Sequence, residues 1–428
     1  MTRFSRRRFL QVGSTVAAAA VVPSTASAET GASLPPSIAS LKSMKDQAVP
    51  ITVDERKARV ERARELMAQN KLEAIAITTG SSLTYYSAVR WWTSERLFAM
   101  VLPAKGNAFF VCPAFEEGRA EEQLAIGPFG SDADIRIWQE DEDPYQRVAK
   151  GLRDLGLTSG VLGIEEKTPF VFSDGIASHV PSMQIASATP VTAGCRMIKN
   201  DHEINLMRLA SRVSITAYEA AYRALKVGMT QNEFEGLVES AHTQLGFHGG
   251  ADVQVGTHSA APHGSIAPQN IVEGTIVMMD GGCTVEGYAS DITRTFVLGK
   301  PTAKMQQVFE IVDRAQSAAL ATARPGVACE AVDAAARKVI VDAGYGPGFK
   351  YFTHRLGHGM GLDGHEWPYL VPGNATPLRA NMTFSDEPGI YLPGEFGVRI
   401  EDDMHITADG AELFTPRSPS LDHPFGKA

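Results

Sequence analysis

The sequence predicts a small α/β domain followed by a larger α+β domain built from two similar halves. Three observations carry that prediction. Residues from about 35 to 190 alternate helical and strand-like hydrophobic patterns. From about residue 195 to 428 the texture changes to long, capped helices followed by strand pairs. Within this larger domain the same plan occurs twice: a long helix, a break at Gly228 or Gly326, a second helix ending in glycine, then a histidine-bearing segment and a strand pair.

Residues 1–28 precede both domains and read as an export signal. SRRRFLQ at 5–11 sets paired arginines before Phe9 and Leu10, as twin-arginine signals do. A weakly apolar stretch runs to about Val22, and Ala26-Ser27-Ala28 offers a cleavage site after Ala28. The apolar run is too short to span a bilayer, which takes about 20 residues, so stable membrane insertion is not expected. The precursor's expected partner is the twin-arginine export machinery, and the mature protein is expected in a bacterial periplasm or secreted. Cleavage would remove four arginines and no acid, taking the net charge from −9 to −13. That balance, with no sustained Lys/Arg cluster beyond the amino terminus, argues against nucleic acid as a partner. Composition is that of a globular protein, 44% apolar and 21% charged, and 428 residues suit two or three domains. The four cysteines (Cys112, Cys195, Cys283, Cys329) have no paired spacing and read as small buried apolar residues.

The elements follow in order. Residues 53–69 form an amphipathic, charged helix leading into an apolar strand at 72–79, and a strand pair follows at 97–103 and 108–113. Between them, Arg90-Trp91-Trp92-Thr93-Ser94-Glu95-Arg96 reads as a recognition patch or as packing at a strand edge. Asn200 with Glu203 makes a capping box that opens a helix running to about Lys226, and Thr230 with Glu233 opens the helix at 231–245. A helix over 302–323 and a second after Gly326 repeat the arrangement. HRLGHGMGLDGHE at 354–366 spaces His354 and His358 four apart, as a zinc-binding helix would. Its four glycines, each costing a helix about 1 kcal/mol relative to alanine, argue for extended backbone instead.

The chemistry lies in two hairpins. Residues 275–299 turn back near Gly287; if the turn centres between Val285 and Glu286, Asp280 falls opposite Asp291. Residues 384–407 repeat the device about Pro393-Gly394-Glu395, which sets Glu387 opposite Glu401. Like charges directly across a strand pair destabilise a sheet, so two such pairs with apolar flanks call for a cation. Four carboxylates with an imidazole make an oxygen-rich, hard site suited to Mn, Fe, Co or Zn, and five side chains fit two ions about 3.5–4 Å apart. Asp402 and Asp403 are expected to be solvated, or to support the ligands from behind. Cys283 has the opposite parity to Asp280 and is expected to pack rather than ligate.

The carboxyl-terminal half resembles the metallopeptidase family of prolidase, aminopeptidase P, methionine aminopeptidase and creatinase, with its pita-bread fold. The motifs are PHG (262–264), MMDGG (278–282), SDITRTF (290–296), HRLGHGMGLDGHE (354–366), DEPGIY (386–391) and GVRIEDD (397–403). The resemblance covers about residues 35–425 and implies an α+β pita-bread catalytic domain with a pseudo-twofold repeat at 195–428. A smaller α/β creatinase-type domain at 35–190 would precede it. It implies metal ligands Asp280, Asp291, His358, Glu387 and Glu401, with Asp291 and Glu401 bridging two divalent ions, manganese first and cobalt, zinc or iron as alternatives. It makes Glu387 the general base and His263, His354 and His365 the histidines that bind substrate and assist the reaction. Arg399, which shares the parity of Glu401, is expected to orient a carboxylate or a ligand. Thr293 is expected to steady Asp291. Creatinase lacks the full ligand set, whereas all five are present here.

The expected function is therefore a dinuclear metal-dependent hydrolase cleaving Xaa-Pro bonds, as a dipeptidase or an aminopeptidase acting on a small peptide. The alternatives are a relative acting on a non-peptide substrate (creatine-like, ectoine-derived or sulfonium) and an inactive binding protein. The resemblance further implies a homodimer or higher homo-oligomer, with Arg90, Trp92 and Arg96 reaching towards a neighbour's site.

Overall fold

Six strands build the sheet of the amino-terminal domain: β1 (Ala74–Ile77), β2 (Ala99–Pro103), β3 (Phe109–Pro113), β4 (Asp134–Trp138), β5 (Gly160–Ile164) and β6 (Met183–Ser187). In this computed structural model, which describes residues 33–426, they lie in the order β4-β3-β2-β1-β5-β6. The signal expected over residues 1–28 falls outside the described residues. Pairs β1–β2 and β2–β3 are antiparallel and the other neighbours parallel. Both faces are covered. Ile75, Met100, Leu102 and Phe110 pack on one side, Ala74, Ala76, Val101 and Phe109 on the other. Double burial is why these strands read in sequence as unbroken apolar runs. All four cysteines are buried and unpaired. Among the described residues no helix is long and apolar enough to cross a membrane.

The helix Thr189–Arg196 leads into the second domain. There the capping boxes act as expected: Asn200 and Glu203 exchange hydrogen bonds at the start of helix Asp201–Ala224, and Thr230 and Glu233 do so before Gln231–Leu245. Strands β7 (Gly249–Val255), β8 (Ile276–Val285), β9 (Tyr288–Ala289) and β10 (Ile292–Val297) complete the first half, in the order β10-β8-β7 with β9 against β8. The second half repeats the plan with helices Ala303–Thr322 and Cys329–Asp342. Its strands are β11 (Gly357–Gly359), β12 (Glu366–Leu370), β13 (Thr383–Asp386), β14 (Gly389–Leu392), β15 (Phe396–Arg399), β16 (Asp402–Ile406) and β17 (Ala411–Leu413). Five of them form a sheet in the order β12-β11-β13-β16-β17, and β14–β15 is a separate hairpin.

The two hairpins differ in how their register compares with the sequence reading. In the first, Asp280 pairs with Thr293 rather than with Asp291. The turn sits at Glu286 and Gly287, whose φ angles are 51° and 89°. Positive φ at both central residues is what a two-residue type I′ turn requires, and glycine supplies it readily. Moving the turn centre by one residue moves the register by two, so side-chain parity survives. Asp291 stays on the Asp280 face, displaced along the strand. In the second hairpin Gly389 pairs with Arg399, and Asp386 with Asp402 in the flanking ladder. Glu387 and Glu401 therefore face each other as expected. The segment carrying His358 is extended, not helical, and runs close to its neighbour. A Cβ on Gly357 would lie 2.0 Å from the Ser385 carbonyl oxygen.

Candidate metal centre

The hairpins meet where the Glu401 amide donates to the Thr293 carbonyl at 3.3 Å. Around that junction is a cavity of about 330 Å³ lined by Asp280, Asp291, His358, Glu387, Glu401, His263, His354, His365, Arg399, Arg355 and Pro262. The nine residues singled out in sequence are all brought together here. Asp280, Asp291 and Glu401 each place an oxygen within 4.8 Å of the others, and so do the ligand atoms of His358, Glu387 and Glu401. A third group joins Asp291, His358 and His365. Asp291, Glu401 and His358 each belong to two groups.

The electrostatics show why a cation fits. Burial, reinforced by the Asp280 and Glu387 carboxylates, lifts Asp291 well above the usual carboxylate range. Burial and the Asp291 and Glu387 charges do the same to Glu401. Burial pushes Glu387 up to about 8, against the pull of Arg399. Asp280 differs: burial would raise it, but the Arg399 guanidinium and the Thr293 hydroxyl hold it below its ordinary value. Arg399 Nη2 lies 2.6 Å from Asp280. The Thr293 hydroxyl stands 2.7 Å from Asp280 and 2.6 Å from Glu401, able to donate to one at a time, and accepts from Arg399 Nε at 2.9 Å. Three acids packed together that share only the Arg399 guanidinium with Asp280, beside a neutral imidazole, form a donor set that suits divalent ions.

The imidazoles are oriented by backbone. His358 Nδ1 faces the Gly359 carbonyl at 3.2 Å, which leaves Nε2 as an acceptor 3.3 Å from Glu387 and 3.8 Å from Asp291. Burial, with His365 adjoining, lowers its pKa to about 3. His354 Nδ1 is 2.8 Å from the Arg355 carbonyl and its Nε2 2.7 Å from the Tyr391 hydroxyl. Burial and then Arg399 bring His354 down to about 4. His365 stacks on His358 with ring centroids 3.6 Å apart, and both His365 and His263 are exposed.

Several features were not visible in sequence. Arg399 commits Nε to Thr293, Nη2 to Asp280, and Nη1 to Tyr391 and the Pro262 carbonyl. These bonds hold the Asp280 carboxylate in place, and the guanidinium also lines the cavity. Tyr391 and Arg355 sit inside the sequence motifs yet carried no distinguishing signal. Asp402 and Asp403 are not solvated: Asp402 is wholly buried against Arg294 at 2.7 Å, and Asp403 accepts from the Asp291 amide at 3.1 Å and from Ser211 at 2.6 Å. They support the site from behind. Cys283 is buried, with Sγ 3.4 Å from the Ala210 carbonyl, and packs as its parity implied. Trp92 is exposed and carries Arg119 over its ring at 4.0 Å, while Arg96 pairs with Glu140. Neither Trp92 nor Arg96 lines the cavity.

An α/β amino-terminal domain ahead of a pseudo-twofold pita-bread domain, with a carboxylate–imidazole centre between its halves, defines a class of metal-dependent hydrolases. Residues 59–198 match the creatinase/prolidase N-terminal domain, and residues 205–408 match metallopeptidase family M24. The chain belongs to metallopeptidase family M24, whose members use divalent metals. It is 37% identical over 355 residues to a protein named probable dipeptidase PepE from Mycobacterium tuberculosis, covering 79% of this chain and 89% of the relative. It is 30% identical over 372 residues to the Xaa-Pro dipeptidase of Lactobacillus delbrueckii subsp. lactis, covering 85% and 98%. Among solved structures, dipeptidase PepE from Mycobacterium ulcerans superposes with a TM-score of 0.81 at 35% identity, covering 87% of this chain and 99% of that one. The prolidase from Thermococcus sibiricus gives 0.76 at 30% identity, covering 84% and 96%.

Proposed function

We propose that this peptidase hydrolyses the Xaa-Pro bond of dipeptides, using two divalent ions, manganese first among them. The observation that carries the reading is the complete set Asp280, Asp291, His358, Glu387 and Glu401 in one small cavity, with Arg355 at its edge. Arg355 is exposed, its guanidinium lies over the Tyr369 ring at 4.3 Å, and it has no ion-pair partner among the described residues. That leaves a cation available for the carboxylate that a dipeptide, and not a longer chain, presents next to the scissile bond.

When bound, the ions supply an acidified water and a Lewis acid for the scissile carbonyl. The chain's own groups do the rest. Glu387, ionised once metal is bound, takes the proton of the attacking water and passes it to the leaving nitrogen. The prolyl nitrogen leaves as an amine only when protonated, and this transfer supplies that proton. His263 and His365, exposed at the cavity wall, donate to the developing oxyanion. His354, neutral and tied to Tyr391, shapes the opposite wall. Asp280 is kept charged and in place by Arg399.

Purified protein with added Mn, Co or Zn should be incubated with Ala-Pro, Gly-Pro, a longer Xaa-Pro peptide and a proline-free dipeptide. Cleavage of the two proline dipeptides above the others supports the reading. Turnover of only the proline-free peptide, or none with any metal, overturns it. The pattern at 5–11 supports export before function. Replacing Arg6 and Arg7 by lysine should then leave the precursor in the cytoplasm, and equal fractionation of both forms would refute export.

A further inference from the structure

We infer that Asp363, with Glu366, is a positioning residue for His365, and that the amino-terminal domain thereby sets the geometry of the site. The inference rests on the reading of His365 as a reacting group given above.

His365 lies in a segment with little backbone support. Between β11 and β12 the pairing slips, with His358 opposite Tyr369 but Gly359 opposite Glu366. Residues 361–365 bend outside any strand. Their backbone bonds are Gly361 N–H to the Asp363 carbonyl at 3.0 Å and Ala289 N–H to the Gly361 carbonyl at 2.8 Å. The His365 ring nitrogens have no protein hydrogen-bond partner among the described residues. That frees them for substrate, and it leaves the ring's place to its stack on His358 and to its backbone.

Side chains on both sides of His365 supply the missing anchorage. Two residues before it, Asp363 accepts from Ser81 Oγ at 2.6 Å, Lys167 Nζ at 2.6 Å and Arg196 Nη2 at 2.5 Å. One residue after it, Glu366 pairs with the same Arg196 nitrogen and with Lys199 at 2.7 Å. Ser81 opens the helix Gly80–Ser87, and Lys167 follows β5, so both belong to the amino-terminal domain. Arg196 ends the connecting helix and also reaches Ser82 at 3.3 Å. The backbone of His365 is thus strung between two carboxylates held by one guanidinium. Arg196, Lys199 and Glu366 are buried, so losing one partner there would leave a charge uncompensated. Lys167 is exposed and can be altered without that penalty, while after Asp363→Asn the Arg196 guanidinium keeps Glu366 as its partner. Leu362 adds an apolar peg, packed against the cores of both the amino-terminal sheet and the helix Asp201–Ala224.

The test is Asp363→Asn, and separately Ser81→Ala with Lys167→Met, which touches only the amino-terminal domain. Each should keep metal content and melting temperature near the parent and lower kcat about tenfold or more, with KM little changed, since a misplacement of about 1 Å in a reacting group can cost 100-fold. In a His365→Ala background the same substitutions should change kcat by less than about twofold, because their effect passes through that ring. Independently of any substrate, the imidazole signals of His365 in the metal-free protein should broaden or split in the variants and stay single in Lys338→Met, an exposed helical pair with Asp342. Additive losses in the His365→Ala background, or unchanged His365 signals, would overturn the inference. Should the parent prove inactive on proline peptides, the imidazole signals alone decide it. Should Asp363→Asn fail to fold, the amino-terminal double variant does.

Discussion

Loading divalent metal into the metal-free protein should expel protons, and the structure sets how many. At pH 7, with its pKa at about 8, Glu387 is about nine-tenths protonated. Asp291 and Glu401 lie well above the usual range through burial and mutual repulsion. Asp280 is already ionised beside Arg399, and His358, brought down to about 3, is already neutral. Ligation by the full set therefore releases about one proton from Glu387 and up to about two more from the Asp291–Glu401 pair, since ligands must be deprotonated to bind. Apparent affinity should rise by about one to three decades per pH unit between pH 6 and 7.5, because that slope equals the protons released. The assay is calorimetric titration with manganese chloride at pH 7 in two buffers of different ionisation enthalpy, repeated across that range. Release of less than about one proton, or an affinity that does not change with pH, would refute the idea that the site is a set of neutralised acids awaiting a cation.

Three further outcomes follow from the same geometry. Asp291→Ala or Glu401→Ala should lose metal from one or both positions after dialysis, each residue belonging to two ligand groups; full retention would show that neither ligates. His365→Ala should keep its metal and lose roughly 100-fold in kcat, within the usual range for removing one oxyanion donor; metal loss would place the ring among the ligands. The metal-free protein should become less stable as pH rises from 6.5 to 8. Glu387 and Asp403, both raised to about 8 chiefly by burial, hold protons that the unfolded chain has already released, so stability present at lower pH is lost through the folded pKa. Each held proton contributes about 1.4 kcal/mol per pH unit, and denaturant unfolding at both pH values, with chelator present, checks the sign.

Legibility followed the range of the interaction. The helix starts at Asn200 and Thr230 could be read because a capping box is settled within four residues. The carboxylates could be read because strand parity has a period of two. The turn at Glu286–Gly287 moved the first register by two residues and left that parity untouched, so Asp280 and Asp291 still converge. The connections between domains could not be read. Asp363 meets Lys167 across 196 positions and Arg196 across 167, and nothing local marks any of the three as partners. Tyr391 was hidden differently, as a tyrosine in a strand pattern that fits the core equally well.

In sequence, two pairs of like charges demanded a cation without saying which acids needed it. The structure supplies two internal cations, and each is already engaged: Arg294 compensates Asp402, and Arg399 compensates Asp280. Asp386, opposite Asp402 and with both carboxylate oxygens lacking a hydrogen-bond partner, is lifted well above the usual carboxylate range by burial and by its neighbour's charge. What remains is Asp291, Glu387 and Glu401, three acids facing one cavity whose nearest guanidinium, that of Arg399, is committed to Asp280 and stands 3.9 Å from Glu401. Three acids that share one guanidinium with Asp280 leave the rest of their neutralisation to protons or to divalent metal, and the two compete.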